Sequence, residues 1–346
     1  MKRILILIAL IIAMPAGAQV LTSTSKGVVA AHDGVIDLYD SRGRRVWSAP
    51  GLETPTSIVA GDDAVALLDA WTNRARVISL ANGSGETFAT NETPIGGLFL
   101  GDHLYILERD SRTVFGVRRL AAALDTVKAA ASRRTPKLLA ADPAFVGASD
   151  GLIYVYSRVE GLLQEIDPES LALLREVRID PFASDMEIDG RTAYLIHPRS
   201  AKLTAVNLET FTAHTTAAGG TPIDIAVARS ANALSATTLA IADPGAQRVW
   251  RIEGSQSFGA AFGRGFIRGL LGLGLFRPRS SEFPTGVDRI MSAAGVTVAH
   301  DSVSGTLYAV DGSTIRVVAQ DVAPQGFTVR GDRIAIWRDG AVQFAE

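Results

Sequence analysis

Short apolar runs separated by turn residues dominate the chain. Residues 55–90 contain four such runs, TSIVAGD, AVALLDA, RARVISL and GETFAT, which are broken by Gly, Asp and Asn. Residues 181–217 repeat the scheme as ASDMEIDG, TAYLIHP, KLTAVNL and FTAHTTA. Short runs rich in Val, Ile, Leu, Tyr and Thr and bounded by turn residues are typical of β-strands. The pattern therefore predicts groups of four short strands.

A proline precedes each group of predicted strands after the first unit, residues 20–52, so that seven proline-led units and the first unit make eight. The prolines in question are Pro55, Pro94, Pro136, Pro181, Pro222, Pro284 and Pro324. Most steps between them are roughly 40 residues, and the one long step contains an unusual segment, Gly263 to Phe283. Four strands in every ~40–45 residues are the pattern of a β-propeller blade. Sheets packed on both faces also explain why many of the runs are almost wholly apolar.

We therefore expect an all-β fold, a propeller of four-stranded antiparallel blades. Eight blades are favoured and seven are the alternative, and a β-sandwich is the competing fold. The last unit, from Pro324 to Glu346, has only three strand-like runs. We expect the strand near Val20–Ser25 to supply the fourth strand of that blade and so to close the ring. The Ala- and Leu-rich stretch that begins at Arg118 predicts a short helical excursion between blades.

Several segments resemble known propeller repeats. TPIDIAVA from Thr221, LIYVYSRVEGLLQEIDPESLALLREV from Leu152 and FPTGVDRI from Phe283 look like the repeats of bacterial YVTN-type and NHL-type propellers. DLYDSRGRRVWSA from Asp37 is similar to a quinoprotein-type repeat. The resemblance implies a fold and no particular activity, since propellers host binding scaffolds, lyases, lactonases and dehydrogenases.

The first residues have the pattern of a secretory signal peptide. Lys2 and Arg3 precede an apolar run from Ile4 to Met14, and Ala16-Gly17-Ala18 ends it. We expect cleavage after Ala18, which leaves residues 19–346 as a single propeller domain in the periplasm or outside the cell. The apolar run is shorter than the roughly 20 residues that cross a bilayer, so no transmembrane helix is expected after cleavage. The chain has no cysteine, which excludes both a lipoprotein anchor and disulfides.

The remaining composition favours no catalytic class. The net charge of −2 and the scattered basic residues argue against a nucleic-acid partner. The five histidines show no close metal-ligand spacing, and G-x-S-x-G is absent. His32-Asp33 and His300-Asp301 are expected to lie in equivalent turns of the repeat. No catalytic residue and no required cofactor are assigned.

Three aspartates form the best candidate metal site. Asp185, Asp224 and Asp288 each lie two to four residues after a repeat proline, near the start of a predicted innermost strand. Such strand starts converge on the central channel, so that the carboxylates could share a calcium-like cation, which prefers oxygen ligands. The alternative is that each Asp caps the turn after its proline.

The segment within 263–283 is both basic and apolar, and it contains five glycines. It could contact a partner or an anionic membrane surface, or it could pack over one end of the propeller. The candidate contact residues are Arg264, Phe266, Ile267, Arg268, Leu270, Leu271, Leu275, Phe276 and Arg277.

Taken together, these features favour an exported, non-enzymatic binding scaffold for a protein, an envelope component or a small ligand. The alternative is a cation-dependent enzyme of the lactonase or lyase kind with its site in the central channel. A peripheral membrane module held by the 263–283 insert is the third hypothesis.

Overall fold

The computed structural model describes residues 20–118, 137–228, 238–253, 279–282, 286–293, 295–311 and 314–345. The predicted signal peptide lies outside these ranges, as do the predicted helical stretch after Arg118 and the insert up to residue 278. Among the described residues, no helix has the length and hydrophobicity that crossing a membrane requires.

The described residues form eight antiparallel sheets, which follow one another along the chain as blades 1 to 8. Blades 1 and 2 contain β1 (Val20–Ser23), β2 (Val28–His32), β3 (Val35–Tyr39), β4 (Arg45–Pro50), β5 (Ser57–Ala60), β6 (Ala64–Asp69), β7 (Arg74–Ser79) and β8 (Gly85–Ala89). Blades 3 and 4 contain β9 (Pro94–Leu100), β10 (His103–Glu108), β11 (Thr113–Arg118), β12 (Lys137–Leu138), β13 (Pro143–Ser149), β14 (Leu152–Ser157), β15 (Leu162–Ile166) and β16 (Leu173–Arg178).

Blades 5 and 6 contain β17 (Asp185–Asp189), β18 (Thr192–His197), β19 (Lys202–Asn207), β20 (Thr212–Ala217), β21 (Asp224–Ala228), β22 (Thr238–Asp243), β23 (Arg248–Glu253) and β24 (Arg279–Glu282). Blades 7 and 8 contain β25 (Arg289–Ala293), β26 (Val296–Asp301), β27 (Thr306–Asp311), β28 (Thr314–Ala319), β29 (Phe327–Arg330), β30 (Arg333–Arg338) and β31 (Ala341–Ala345). Two single-turn 3₁₀ helices, Pro198–Ser200 and Pro244–Ala246, follow the second strands of blades 5 and 6.

The first strands of the blades form a closed inner ring. Each first strand contacts the first strand of the next blade, from β1 through β5, β9, β13, β17, β21 and β25 to β29, and β29 contacts β1 again. The predicted propeller and the favoured number of eight blades are confirmed. Since every sheet packs on two neighbours, second strands such as β6 and β18 are buried along their whole length, whereas outer strands such as β4 and β16 alternate between exposed and half-buried positions.

Each interface between neighbouring blades has its own apolar core. The interface of blades 1 and 2, for example, contains Val29 and Ile36 from one blade and Leu67 and Ile78 from the other. Eight such clusters lie around the ring, one for each interface. Burial of this apolar surface, at roughly 25 cal/mol per Å², is the main force that holds the blades together.

The antiparallel order gives the ring two different faces. Turns between the second and third strands lie on the same face as the connections from one blade to the next, which we call the connection face. Turns between the first and second strands and between the third and fourth strands lie on the opposite face, which we call the hairpin face. The undescribed segments 119–136 and 254–278 both join a third strand to a fourth, in blades 3 and 6.

Buried carboxylates fix several turns of the connection face. Asp69, Glu108, Asp243 and Asp301 each end a second strand and are buried. Oδ1 of Asp69 accepts the N–H groups of Trp71 (2.9 Å) and Thr72 (3.1 Å). These acids accept hydrogen bonds from backbone N–H groups that the turn would otherwise leave unpaired, so the carboxylates stabilise the turns.

Ring closure differs from the sequence-based expectation. The strand near Val20–Ser25 was predicted to complete blade 8, and this is wrong, because β1 pairs with β2 inside blade 1. A tight turn explains the difference: the Thr24 N–H donates to the Gly27 carbonyl oxygen (2.8 Å), which folds β1 directly back onto β2. Within the described residues, blade 8 is therefore three-stranded.

Side-chain packing closes the ring between blades 8 and 1. Trp337 of blade 8 is buried, and its ring lies 4.4 Å from the ring of His32 and 6.2 Å, edge-on, from that of Tyr39. The Leu21 N–H also donates to the Gln325 carbonyl oxygen (3.0 Å). We call this interface the seam. No strand is shared across it among the described residues.

The predicted boundary at Pro136 also needs correction. The strand after it, β12, pairs with β11 and is the outermost strand of blade 3. Blade 4 begins at Pro143, the first residue of β13. The stretch predicted to be a helical excursion between blades thus belongs to a connection within blade 3. The spacing of the prolines could not show this, because an insertion within a blade lengthens the repeat by as much as an insertion between two blades.

Truncation at the seam should be costly. We expect Trp337→Ala to lower the free energy of unfolding by about 3–5 kcal/mol, because it removes a large buried side chain that no shared strand compensates. Urea unfolding followed by circular dichroism measures the change. Trp71→Ala is the matched control, since Trp71 is 72% exposed and its loss should change stability by no more than about 0.5 kcal/mol. Equal stability of the two variants would contradict closure by packing at the seam.

Candidate functional site

The starts of the first strands meet at the connection-face mouth of the central channel. In blades 5, 6 and 7, the residues Asp185, Asp224 and Arg289 each pair with the penultimate residue of the second strand. The three residues therefore occupy the same position in consecutive blades. They form a row of two acids and one base along the inner ring.

Each side chain of this row binds the backbone of the next blade: the two aspartates bind its first strand, and Arg289 binds the connection that leads into it. Asp185 Oδ2 accepts the Ile225 N–H (3.0 Å), and Asp224 Oδ2 accepts the Ile290 N–H (2.6 Å). Arg289 Nη1 donates to the Pro324 carbonyl oxygen (2.8 Å). Backbone groups on the inner edge of a first strand have no further strand to pair with, so these side chains satisfy them. We call this arrangement the inter-blade row.

Asp224 is unusual in its electrostatics. The residue is partly buried, and its carboxyl group lies beside that of Asp185. Burial and the neighbouring negative charge both raise the pKa of Asp224 well above its usual value, against the opposing effects of the Ile290 N–H and Arg289. In its protonated form, Asp224 can donate to Asp185 and still accept from the next blade.

The third predicted metal ligand lies elsewhere. Asp288 precedes Arg289 by one residue, and a shift of one residue along a strand turns the side chain to the other face. Its Oδ1 accepts the N–H (3.1 Å) and the hydroxyl (2.9 Å) of Ser302 in its own blade. The structure thus brings Asp185 and Asp224 together and holds Asp288 in a separate turn. In the part of the chain that is described, no group of three His, Asp or Glu residues is placed to hold a metal ion.

A cavity of about 230 Å³ adjoins the inter-blade row. It opens on the connection face between blades 3, 4 and 5. Its wall contains Ile95, Arg109, Pro143, Ala144, Phe145, Arg158 and Ser184. Ser184 precedes Asp185, and its hydroxyl donates to the Ile223 carbonyl oxygen (2.6 Å), so the cavity and the row share one rim.

Both arginines of the cavity are bound to neighbouring acids. Arg109 Nε donates to Asp110 Oδ1 (3.0 Å), and Arg158 contacts Asp142 through Nε (2.8 Å) and Nη2 (3.3 Å). These pairs fix the guanidinium groups beside an apolar floor. Such a site can bind a side chain or a small ligand through one or two polar contacts.

Large apolar side chains are exposed on the same face. Trp71 is 72% exposed, Val159 52% and Val303 95%, and each lies in the turn between the second and third strands, in blades 2, 4 and 7. Neither these residues nor Arg109, Arg158 and Arg289 were among the sites predicted from sequence. The aligned repeats could have identified Arg289, since it occupies the position of Asp185 and Asp224.

The predicted contact residues of the insert, from Arg264 to Arg277, lie outside the described residues. The structure shows only the strands that flank them: the preceding β23 and the following β24 are the third and fourth strands of blade 6. Membrane contact through the insert therefore stays a prediction.

Comparison with known proteins identifies the fold. No family model matches the chain, and no curated protein does so. Among solved structures, BamB from Moraxella catarrhalis is 13% identical over 94% of this chain and 93% of its own, with a TM-score of 0.64.

Two further structures show how widely this fold is used. The computationally designed Ika8 protein is 11% identical over 95% of this chain and 96% of its own, with a TM-score of 0.67. A chain of the Mitotic Checkpoint Complex is 9% identical over 82% and 84%, with a TM-score of 0.60. At such low identities the likeness shows a shared propeller fold, and it does not confirm the YVTN or NHL repeat type.

The inter-blade row should make stability depend on pH. In the unfolded chain the pKa of an aspartate carboxyl is about 3.9. When folding raises this pKa, the group stabilises the fold fully at pH values below about 3.9. This contribution is lost as the pH rises through the higher pKa of the folded state. We expect Asp224→Asn to raise the melting temperature at neutral pH and to flatten the decline between pH 4 and neutrality, because an amide donates to Asp185 at every pH. Thermal melts across this range measure it.

Asp40→Asn is the control of opposite sign. Backbone N–H groups of Arg44 and Arg42 lower the pKa of Asp40, so its contribution is present at neutral pH and is lost on acidification. This variant should lower the melting temperature at neutral pH. A neutral-pH melting temperature that falls in Asp224→Asn would show that Asp224 is ionised in the row.

Proposed function

We propose that this chain is an exported, non-enzymatic scaffold that binds a protein partner across its connection face. The propeller neighbours support an interaction role, since BamB and a chain of the Mitotic Checkpoint Complex share the architecture. The predicted signal peptide supports export, and a periplasmic or extracellular partner, such as an envelope component, follows from it.

The exposed apolar turns carry this proposal. Trp71 and Val303 expose apolar surface to water, which is unfavourable. A partner that covers them would remove this surface from water and so gain binding free energy. Tryptophan is enriched among the residues that dominate binding energy at interfaces. The cavity beside Phe145 adds a recess of polar and apolar character on the same face, suited to an inserted side chain.

The charged groups of the channel mouth support binding over catalysis. Asp185 and Asp224 accept backbone N–H groups, and Arg289 donates to a backbone oxygen. Their hydrogen bonds hold blades together. A catalytic role would have to share these groups with the contacts that hold the blades together.

A cation-dependent enzyme of the lactonase or lyase kind is the second candidate. The observation that favours it is the direct contact of two channel-lining carboxyl groups, Asp185 and Asp224, since paired carboxylates can hold a hard cation. Metal analysis of residues 19–346, with melts in calcium and in chelator, separates the two candidates. The scaffold proposal expects no stoichiometric ion and no shift, whereas a bound ion lost in Asp224→Asn and Asp185→Asn would favour the enzyme.

Site-specific photo-crosslinking tests the binding face. A photoreactive amino acid placed at position 71 or 303 should form adducts with the partner in cells that produce the chain, and Trp71→Ala should reduce the adducts formed from position 303. The matched position is 332, where Asp332 lies in the turn between the first and second strands of blade 8, on the hairpin face. Adducts that form equally from position 332, or that ignore Trp71→Ala, would contradict binding across the connection face.

A further inference from the structure

Two adjacent blades break the repeat at the start of their first strands. In blade 3 the register between β9 and β10 shifts so that Ile95 is an extra residue, and in blade 4 the register between β13 and β14 shifts in the same way at Ala144. The other six described first strands pair with their second strands without a shift. Such β-bulges are common beside binding and active sites, where they redirect side chains. Both extra residues lie in the wall of the cavity of about 230 Å³.

Each bulge is held against an arginine turn. Arg109 and Arg158 occupy equivalent positions, directly after the second strands of blades 3 and 4. Their backbone N–H groups donate to the carbonyl oxygens of Thr93 (3.0 Å) and Asp142 (2.8 Å), which are the residues just before the two bulged strands. The same local arrangement thus occurs twice, and both arginines line the cavity that lies beside it.

Each guanidinium group is fixed by one acid and keeps further donors. Arg109 binds Asp110 through Nε, and Arg158 binds Asp142 through Nε and Nη2. Among the described residues, the two Nη atoms of Arg109 and the Nη1 atom of Arg158 make no hydrogen bond. Hydrogen bonds from Thr93 and Arg109 lower the pKa of Asp110, so this acid stays ionised and holds its arginine in place.

The other wall of the cavity is apolar. Phe145 stacks on buried Tyr156, with the ring centroids 6.1 Å apart and the planes at 17°, and Ile95 and Ala144 extend this surface. The volume is smaller than the roughly 300–1,000 Å³ of pockets that hold drug-sized ligands. The cavity therefore has room for one side chain or one small organic molecule.

The charges beside the cavity select the class of ligand. The planar fork of a guanidinium group matches the two oxygens of a carboxylate. Asp110 and Asp142 offset much of the positive charge of the two arginines, which disfavours a doubly charged ligand such as phosphate. A singly charged carboxylate that carries an apolar group would use both the remaining donors and the apolar wall.

We propose that this cavity binds an apolar carboxylate. The carboxylate group accepts hydrogen bonds from Arg109 and Arg158, and the apolar group packs against Phe145. A small organic acid and the C-terminal residue of a protein chain both have this chemistry. The proposal rests on the binding role of the connection face and adds the ligand chemistry that the cavity selects.

Phenylacetate and phenylacetamide are the first probes, since they have nearly the same shape and differ in charge. Isothermal titration calorimetry with residues 19–346 should show one-to-one binding of phenylacetate. We expect phenylacetamide to bind about tenfold more weakly or less well still, because it loses the charge-assisted hydrogen bonds. Inorganic phosphate at the same concentration should not displace phenylacetate.

Variants of the cavity locate the binding site. Arg158→Lys keeps the charge but loses the planar fork, and we expect it to weaken phenylacetate binding by about tenfold, as should Arg109→Gln. Ala144→Phe fills the cavity and should abolish binding. Arg74→Gln is the matched control, because Arg74 is an exposed arginine of the same face in blade 2, and its loss should leave binding unchanged. Circular dichroism confirms folding of each variant.

A blocked tripeptide, N-acetyl-Gly-Gly-Phe, distinguishes the two sources of the carboxylate. Tighter binding of this peptide than of phenylacetate assigns the cavity to a chain terminus, and equal or weaker binding assigns it to a small acid. The proposal is overturned if neither acid binds, if phenylacetamide binds as well as phenylacetate, if phosphate displaces it, or if Arg109→Gln and Arg158→Lys bind it like the unaltered chain. Crosslinking from positions 71 and 303 does not involve the cavity, so this failure is distinct from failure of the scaffold proposal.

Discussion

The ring must close, and the whole structure depends on how it does so. Eight sheets that each bury two faces are stable only if the first and last also bury theirs against each other. In this chain the described strands achieve closure without sharing a strand across the seam, because β1 folds back onto β2. Trp337, packed against His32 and Tyr39, therefore provides what a shared strand would otherwise contribute. Every other interface can form in sequence order, but this one needs all eight blades in place.

Closure by packing also explains where the charged residues lie. First strands have a free inner edge, and the inter-blade row uses two carboxyl groups and a guanidinium to satisfy backbone groups of the next blade. The buried acids that end the second strands do the same for their turns. With these groups committed to the fold, the exposed turns of the connection face are left as a surface for recognition.

The sequence predicted the architecture because the repeat consists of residue types with strong structural preferences, β-branched and aromatic residues for strands and Gly, Asp, Asn and Pro for turns. Apolar runs of strand length and the prolines at or just before the starts of β5, β9, β17 and β21 placed most blades correctly. Register could not be read in the same way. Asp288 lies one residue before the position of Asp185 and Asp224, and that single step directs its side chain into a different turn. Likewise, His300 pairs with Arg289 one residue before the end of its blade's second strand, whereas His32 ends β2, so the two His-Asp pairs are not equivalent.

The way in which the ring closes could not be predicted from the sequence either. The run near Val20 suits a first strand and a fourth strand equally well, and the Thr24–Gly27 turn decides between them. The structure brings together two residues that the sequence singled out, Asp185 and Asp224, at the channel mouth. The repeat alignment could also have identified Arg289, whereas Arg109 and Arg158 carry no local pattern that marks them. Their roles arise from neighbours that are distant in the chain.

Native-state hydrogen exchange of residues 19–346 tests the central claim most directly, that packing at the seam closes the ring as firmly as any other interface. The account predicts that slowly exchanging amides of β2 and β30, on either side of the seam, open with the same free energy as those of β6 and β18, which equals the free energy of global unfolding. Exchange of β2 and β30 through an opening of clearly lower free energy, while β6 and β18 stay protected, would contradict it and show a ring that opens at the seam.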